Sequence, residues 1–126
     1  MERFLAPYKE TIYAAFRIVL GLLFACHGLQ KLGMFGGIPP EHLNALTYTA
    51  AAIELIGGLM VAVGFQASIA AFICSGTMAA AYFMAHQPQG LLPIQNQGEL
   101  AVIYCFAFLA IAAKGSGRLS VDEAMR

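Results

Sequence analysis

No lysine, arginine, aspartate or glutamate occurs between Leu55 and Gly98, a run of 44 residues. About 20 apolar residues in a helix cross a bilayer core about 30 Å thick, so this run holds one complete span and parts of two others. A soluble helical bundle needs a polar stripe on every helix, and the segment containing Ser68 and Ser75 has no charge to form one. The run therefore predicts an integral membrane protein.

Turn-forming residues divide the chain into four apolar segments. Three glycines and two prolines lie in 33–40, a tight turn is expected at 64–66, and 87–97 holds two further prolines. The predicted spans cover about 11–31, 42–64, 67–86 and 97–114, within a single domain of residues 1–126. The expected fold class is all-α, a polytopic membrane protein built as a four-transmembrane-helix bundle.

Basic residues set the expected orientation in the membrane. Five of the seven lysines and arginines lie near the two ends of the chain, at Arg3, Lys9, Lys114, Arg118 and Arg126. The connections on the other side carry only Lys31. Cytoplasmic segments are enriched in lysine and arginine, so we expect both termini to be cytoplasmic in a multi-pass protein of the inner (plasma) membrane. A cleaved signal peptide ending near Cys26 is an alternative that the three later spans disfavour.

Four ionisable residues lie within or at the edge of the predicted apolar slab. Only 13 residues separate Arg17 from Lys31, and 14 separate Glu99 from Lys114. Each interval is about 20 Å of helix, shorter than a hydrocarbon core of about 30 Å. Glu54 lies near the middle of the second span. Intramembrane charges usually face the bundle interior and pair, so we predict an intramembrane charge pair of Arg17 with Glu54 and a second pair of Lys31 with Glu99.

Polar side chains are also expected to converge at the rim opposite the termini. The candidate ligand site consists of His27, Gln30, Lys31, His86, Asn96 and Glu99. On the fourth span, we expect Glu99 to begin an inward face that Ile103 and Phe106 continue. Six polar residues exceed what membrane anchoring requires, which favours a functional site. The alternative is that the charge pairs only fix helix register.

Composition narrows the function classes further. The 7 basic and 7 acidic residues give no net charge, so nucleic acid is not an expected partner. The three cysteines form no Cys-x-x-Cys motif, which predicts neither a zinc site nor a dithiol centre. No metal site is predicted, because His27, His86 and Glu99 come from different spans and have no diagnostic spacing.

Short motifs along the chain resemble those of the DoxX family of small four-span membrane proteins. They are Arg17-Ile-Val-Leu-Gly21, His27-Gly28-Leu-Gln-Lys31, Glu54-Leu-Ile-Gly57-Gly58 and Asn96-Gln-Gly98-Glu99. The resemblance extends over residues 16–122. Gln97 is a departure, since the family often has Asn-Gly-Glu at this place.

The resemblance implies an accessory membrane subunit in redox or sulfur-compound metabolism, at most one subunit of a quinone-linked oxidoreductase. Some family members are similar to the membrane subunit of a thiosulfate:quinone oxidoreductase. A quinone at the polar rim, bonded by Lys31 or His27, is the candidate bound group. The chain has no flavin, haem or iron–sulfur motif, so no intrinsic cofactor is expected and a soluble redox enzyme is the implied partner.

Two alternatives remain open from the sequence. The first is a non-catalytic membrane scaffold or assembly partner, with a homo-oligomer among its forms. The second is a small protein that binds or transports an amphipathic ligand at the mouth of the bundle.

Overall fold

A computed structural model describes all residues, 1–126, and consists of helices without strands. The long helices are α1 (Glu2–Lys31), α2 (Ala45–Val63), α3 (Ala67–Gln89) and α4 (Glu99–Lys114). Short helical turns cover Pro40–His42, Pro93–Asn96 and Val121–Ala124. The all-helical prediction is confirmed. Helices α1, α2 and α3 are long and apolar enough to cross a membrane, while α4 has 16 residues.

Local sequence explains where α2 begins and ends. The Asn44 side chain accepts a hydrogen bond from the Thr47 backbone N–H at 2.9 Å, which caps the first turn. Gly64 ends the helix with a φ of 74°, a left-handed conformation that glycine adopts without a Cβ clash. The following residues lead directly into α3, so α2 and α3 are antiparallel neighbours.

Glycines bring α1 and α2 into backbone contact as an antiparallel pair. A Cβ on Gly21 would lie 2.5 Å from the Gly58 carbonyl oxygen, and one on Gly28 would lie 2.8 Å from the Ala51 carbonyl oxygen. Such small residues favour close helix association in lipid, where apolar side chains gain nothing by leaving the acyl chains. This contact sets the depth of every polar residue on α1 relative to α2.

Helix α4 packs along α3 and closes the apolar core. Its buried side chains recur at intervals of three and four residues: Ala101, Tyr104, Phe108 and Ile111. The predicted inward face is wrong, because Ile103 is 59% exposed and Phe106 is 65% exposed. Phe24 of α1 meets this face, with its ring 5.1 Å from that of Tyr104 and 4.7 Å from that of Phe108.

Two of the long helices contain a π-helical turn. Residues Ile53–Gly57 form one in α2, and Tyr82–His86 form one in α3. Turns of this kind are rare and occur often at functional sites, because they redirect side chains that a regular helix would place elsewhere. Glu54 and His86, two of the ionisable residues singled out above, each lie in one of these turns.

Candidate functional site

The buried carboxylate of Glu54 pairs with Lys31. The Lys31 Nζ lies 2.9 Å from Oε1, to which it donates a hydrogen bond, and 2.9 Å from Oε2. The Glu54 side chain is 3% exposed and that of Lys31 is 31% exposed. Both carboxylate oxygens are therefore in contact with the ammonium nitrogen, and Oε2 is enclosed within the bundle. The ion pair is bidentate, and it is buried on the glutamate side.

The predicted pairing of Arg17 with Glu54 is wrong, although both side chains are buried as expected. Side chains on an α-helix lean toward its N-terminus. Arg17 therefore leans toward the start of α1, while Glu54 leans toward the start of α2, at the opposite end of this antiparallel pair. Lys31, at the end of α1, leans back toward Glu54 and reaches it.

Backbone carbonyls surround the Arg17 guanidinium in place of a carboxylate. The acceptors are the carbonyl oxygens of Val61, Ala62, Ser116, Arg118 and Leu119. Two belong to the end of α2, where the helix dipole favours a positive charge. The other three belong to the segment that follows α4. These five bonds equal the five N–H groups of a guanidinium, so Arg17 has no donor left for a ligand.

The segment after α4 is fastened to the α2–α3 turn at this end of the bundle. Asp122 Oδ1 accepts from the Gln66 backbone N–H at 3.0 Å, and its Oδ2 accepts from the Ser116 hydroxyl at 2.5 Å. These bonds, led by that from Ser116, hold the pKa of the Asp122 carboxyl below its ordinary value. Together with Arg17 they form what we call the Arg17 centre: Arg17, Ser116, Arg118, Leu119 and Asp122.

At the other end, the Lys31–Glu54 pair borders a cavity of about 230 Å³ between the four long helices. Its polar lining residues are His27, Lys31, Glu54, His86, Gln97 and Tyr104. Phe24, Met78, Ala81, Leu100 and Ala101 complete the wall. We call this the polar cavity. It combines one fixed ion pair with hydroxyl, imidazole and amide groups, a set that can both donate and accept hydrogen bonds.

Two aromatic groups of the polar cavity are positioned by contacts around them. The His27 ring lies edge-on to the Tyr104 ring, with centroids 5.8 Å apart. The Tyr104 hydroxyl makes no hydrogen bond within the chain. The Tyr104 ring packs against the rings of Phe24 and Phe108. The hydroxyl is consequently free to bond a molecule in the cavity.

His86 is oriented by the turn that precedes α4. Its Nδ1 lies 3.2 Å from the carbonyl oxygen of Asn96, which can only accept, so Nδ1 carries the proton of this bond. The Asn96 side chain is itself buried, and donates to the Tyr82 hydroxyl at 3.2 Å and to the Gly90 carbonyl oxygen at 3.0 Å. Asn96 therefore supports the cavity wall, and the ring nitrogen left free by this bond is Nε2.

The predicted cluster of six rim residues is brought together only in part. His27, Lys31 and His86 line the polar cavity, whereas Gln30 lines a separate surface depression. The predicted pair of Lys31 with Glu99 is wrong, because Lys31 is held by Glu54 and Glu99 is exposed without an ion pair. Glu99 lies two positions before buried Ala101, and two positions on an α-helix differ by about 200° in direction.

Sequence reasoning missed three members of the polar cavity. Glu54 was expected at the wrong end of the bundle, although the lean of helical side chains toward the N-terminus predicts its actual direction. Tyr104 shares the 3–4 spacing of the buried residues Ala101, Phe108 and Ile111, but α4 is apolar on every side, so its sequence did not mark this face as the inward one. Gln97 carries no sequence signal either, because its position depends on a left-handed φ of 61° in the turn before α4.

Comparison with known families identifies the family of this chain. The family model described as DoxX matches residues 12–87, more than half of the chain. The chain belongs to the DoxX family. The matched range contains Arg17, His27, Lys31, Glu54 and His86, whereas the α4 side of the DoxX polar cavity lies outside it. Family membership and apolar helices together identify a multi-pass integral membrane protein in contact with the lipid bilayer.

Two curated proteins are similar to this DoxX chain over most of their length. A protein of Haemophilus influenzae described as "Uncharacterized protein" is 33% identical over 127 residues, which is 94% of each chain. A Bacillus subtilis protein named "Putative oxidoreductase CatD" is 29% identical over 115 residues, 84% of this chain and 81% of the relative. No solved structure matches the chain.

Proposed function

We propose that this DoxX protein is an accessory membrane subunit in redox or sulfur-compound metabolism. In this proposal the polar cavity binds a quinone headgroup, and a soluble partner enzyme exchanges electrons with it. The observation that carries the proposal is the polar cavity itself, in which the Lys31–Glu54 pair, His86 and the Tyr104 hydroxyl lie beside apolar walls. The name of the Bacillus subtilis relative supports an oxidoreductase association.

The proposed membrane arrangement has four spans, with α4 as the fourth and both termini in the cytoplasm. Its support is the distribution of basic residues, which concentrates five of them near the two ends of the chain. Helix α4 is about 24 Å long at 1.5 Å per residue, somewhat less than the core thickness. In this orientation the polar cavity lies toward the non-cytoplasmic face of the inner (plasma) membrane, where the partner would dock.

The chemical character of the cavity fits a quinone. Lys31 and the Tyr104 hydroxyl are donors for ring oxygens, and in a neutral imidazole His86 Nε2 is an acceptor. Phe24 and Leu100 supply apolar contact for the ring. A bound quinone supplies two-electron, two-proton redox chemistry, which none of the amino-acid side chains in the cavity provides.

The residues of this chain would bind and orient the headgroup and hold protons near it. Lys31 is fixed by Glu54, so its ammonium group remains at one side of the cavity instead of extending toward water. His86 has its Nδ1–H committed to the Asn96 carbonyl oxygen, which leaves Nε2 to accept a hydrogen bond or a proton. Electrons would come from or pass to the partner enzyme.

Purification from native membranes in mild detergent tests the proposal. We expect mass spectrometry to find quinone and a soluble redox protein with the wild type, and much less quinone with Lys31→Ala. Lys114→Ala is the matched control, because Lys114 also pairs with a glutamate, Glu10 at 3.3 Å, but at the opposite end of the bundle. Equal quinone content in all three preparations, or none in the wild type, would contradict the proposal.

A second function is favoured by the surface next to the polar cavity. Ala101 lines both this cavity and an apolar groove of about 270 Å³ between α3 and α4, which Phe83, Val102 and Phe106 also line. A polar cavity next to an apolar groove suits a small amphipathic molecule that is bound or transported without a redox partner. Ligand-dependent thermal stabilisation of the isolated chain, with no co-purifying protein, would favour this function over the first.

A further inference from the structure

His27 lines two separate spaces, the polar cavity and a depression on the outer side of α1. The surface depression has a volume of about 300 Å³ and is lined by Leu23, Cys26, His27, Gln30 and Phe35. Gln30 is exposed, and Phe35 belongs to the loop that follows α1, so the depression reaches the surface at the rim of the bundle. The half-buried imidazole therefore lies between the cavity and the surface.

Aromatic side chains form the contact between α1 and α4 at this level. The His27 ring lies edge-on to the Tyr104 ring, and Phe24 packs against Tyr104 and Phe108 deeper in the bundle. His27 is the member of this row nearest the end of α1, which is Lys31. Four residues of helix span about 6 Å, so a proton held on His27 has a short path to water at the rim.

Both ring nitrogens of His27 are free of hydrogen bonds within the chain. In His86, by contrast, Nδ1 is bonded to a backbone carbonyl oxygen. A neutral imidazole has one nitrogen that accepts and one that donates, so it can bind a proton on one side while it releases another from the opposite side. This transfer requires that neither nitrogen is committed to a partner, a condition that His27 meets and His86 does not.

The other titratable groups of the cavity are less suited to carry a proton out of it. Lys31 of α1 and Glu54 of α2 hold each other in an ion pair. His86 of α3 has one nitrogen committed, and Tyr104 of α4 is buried. None of these four residues lines the surface depression, whereas His27 lines both spaces.

We infer that His27 transfers protons between the polar cavity and the non-cytoplasmic surface. This inference rests on the proposed function and adds to it the path of the protons. When a bound hydroquinone is oxidised, two electrons pass to an electron-accepting partner enzyme and the two hydroxyl protons must leave the ring. His27 takes each proton at one nitrogen and releases a proton from the other nitrogen to water in the surface depression. When a quinone is reduced, the partner supplies two electrons and the same path brings two protons inward.

Oxidation of a bound hydroquinone by ferricyanide tests the inference without the partner enzyme. A decyl-substituted benzohydroquinone is bound anaerobically to the protein in detergent, and two ferricyanide ions then each take one electron while two protons go to the buffer. We expect His27→Ala to slow this oxidation about tenfold or more, because the proton acceptor is lost. Added imidazole, which can enter the vacated space, should restore most of the rate.

The pH dependence of the same reaction provides a second measurement. In the wild type, the rate should rise between about pH 5 and pH 8, where an imidazole becomes able to accept a proton. Glutamine can form hydrogen bonds but cannot carry a proton, so His27→Gln should lack this part of the rise. His42→Ala is the matched control, because it removes an exposed histidine outside the cavity and should leave the rate and its pH profile unchanged.

Calorimetric titration with the same hydroquinone separates the possible results. Binding by the wild type, with equal oxidation rates in the wild type and His27→Ala, would overturn the inference and leave the proposed quinone site standing. A slowed His27→Ala protein that imidazole does not restore would indicate a structural role and would also overturn it. A wild-type rate that is constant from pH 5 to pH 8 overturns it without any variant. Failure of the wild type to bind the probe would overturn the quinone site together with the inference.

Discussion

Arg17 and Glu54 are buried to almost the same degree, with 0% and 2% of their surfaces exposed, but their surroundings differ. The guanidinium of Arg17 makes five hydrogen bonds, all to backbone carbonyls. Glu54 pairs with the partly exposed Lys31, and both residues line the polar cavity. The first charge fastens the chain to itself, while the second lies beside a space that can hold a ligand. Burial alone therefore does not distinguish these two charges, whereas a position in the wall of a cavity does.

Loss of Arg17 should have the largest effect on stability. Arg17→Ala leaves carbonyl groups of α2 and of the C-terminal segment without donors, so we expect a loss of at least about 3 kcal/mol in the free energy of unfolding. Denaturation in mixed detergent micelles, followed by circular dichroism, measures this loss. Arg118→Ala is the control, because its exposed side chain makes no hydrogen bond and only its carbonyl contacts Arg17. Similar losses in both variants would contradict the structural role of Arg17.

The contact between α1 and α2 should respond next, because it brings Lys31 and Glu54 together. Gly28→Ala places a Cβ 2.7 Å from the Leu55 backbone nitrogen, and we expect a destabilisation of about 1–3 kcal/mol from the forced backbone shift. Gly76→Ala adds the same methyl group to α3, where nothing lies within 4 Å, and should be neutral or slightly stabilising. Unfolding in detergent compares them, and a neutral Gly28→Ala would show that the contact is loose.

A double-mutant cycle measures the ion pair itself. We expect Lys31→Ala and Glu54→Ala to show a coupling energy of about 1–3 kcal/mol, because removing one partner leaves the other without its counter-charge. The same cycle with Arg17→Ala and Glu54→Ala should be additive within about 0.5 kcal/mol, since these residues do not touch. Strong coupling in the second cycle would restore the pairing that sequence reasoning favoured. The absence of coupling in the first would contradict the pairing of Lys31 with Glu54.

The smallest effect concerns acid stability at the Arg17 centre. The lowered pKa of Asp122 means that the carboxylate stabilises the fold above its ordinary pKa of 3.8, and that this contribution is lost as the pH falls through the lowered value. Asp122→Asn should therefore lower the thermal midpoint at pH 6 and have less effect at pH 2 to 3. Glu123→Gln, whose side chain makes no hydrogen bond, should leave the pH profile of the wild type unchanged. A pH-independent difference for Asp122→Asn would contradict this role.

The helices were predictable because chain-local properties decide them. The ends at Lys31 and Lys114 follow from turn residues and charges, and the end of α2 follows from Gly64. The burial of Arg17 and Glu54 was also predictable. Charges that are spaced more closely along a helix than the bilayer core is thick, or that lie near the middle of a span, cannot all reach water. By contrast, the inward face of α4 was mispredicted, because a helix that is apolar all round gives no amphipathic signal.

The partners of the buried charges could not be predicted with the same reasoning. Two of the carbonyl oxygens that accept hydrogen bonds from Arg17 belong to Ser116 and Leu119, which lie 99 and 102 positions further along the chain. No local pattern in the sequence indicates that this segment returns to α1. Leu119 adopts a φ of 53° there, a conformation unfavourable for leucine that the surrounding contacts must impose. The π-helical turns that present Glu54 and His86 are likewise products of packing.

By itself, the sequence determined that the chain is an all-helical membrane protein and that Arg17 and Glu54 lie inside it, because these conclusions need only distances along one helix. The tertiary structure alone decided that Glu54 pairs with Lys31, that carbonyl groups enclose Arg17 and that Tyr104 and Gln97 join the polar cavity. Those outcomes depend on the relative depth and rotation of neighbouring helices. Depth and rotation are set by the backbone contact of α1 with α2 at Gly21, Gly28 and Gly58. This contact joins two different helices, so distances along one helix do not reveal it.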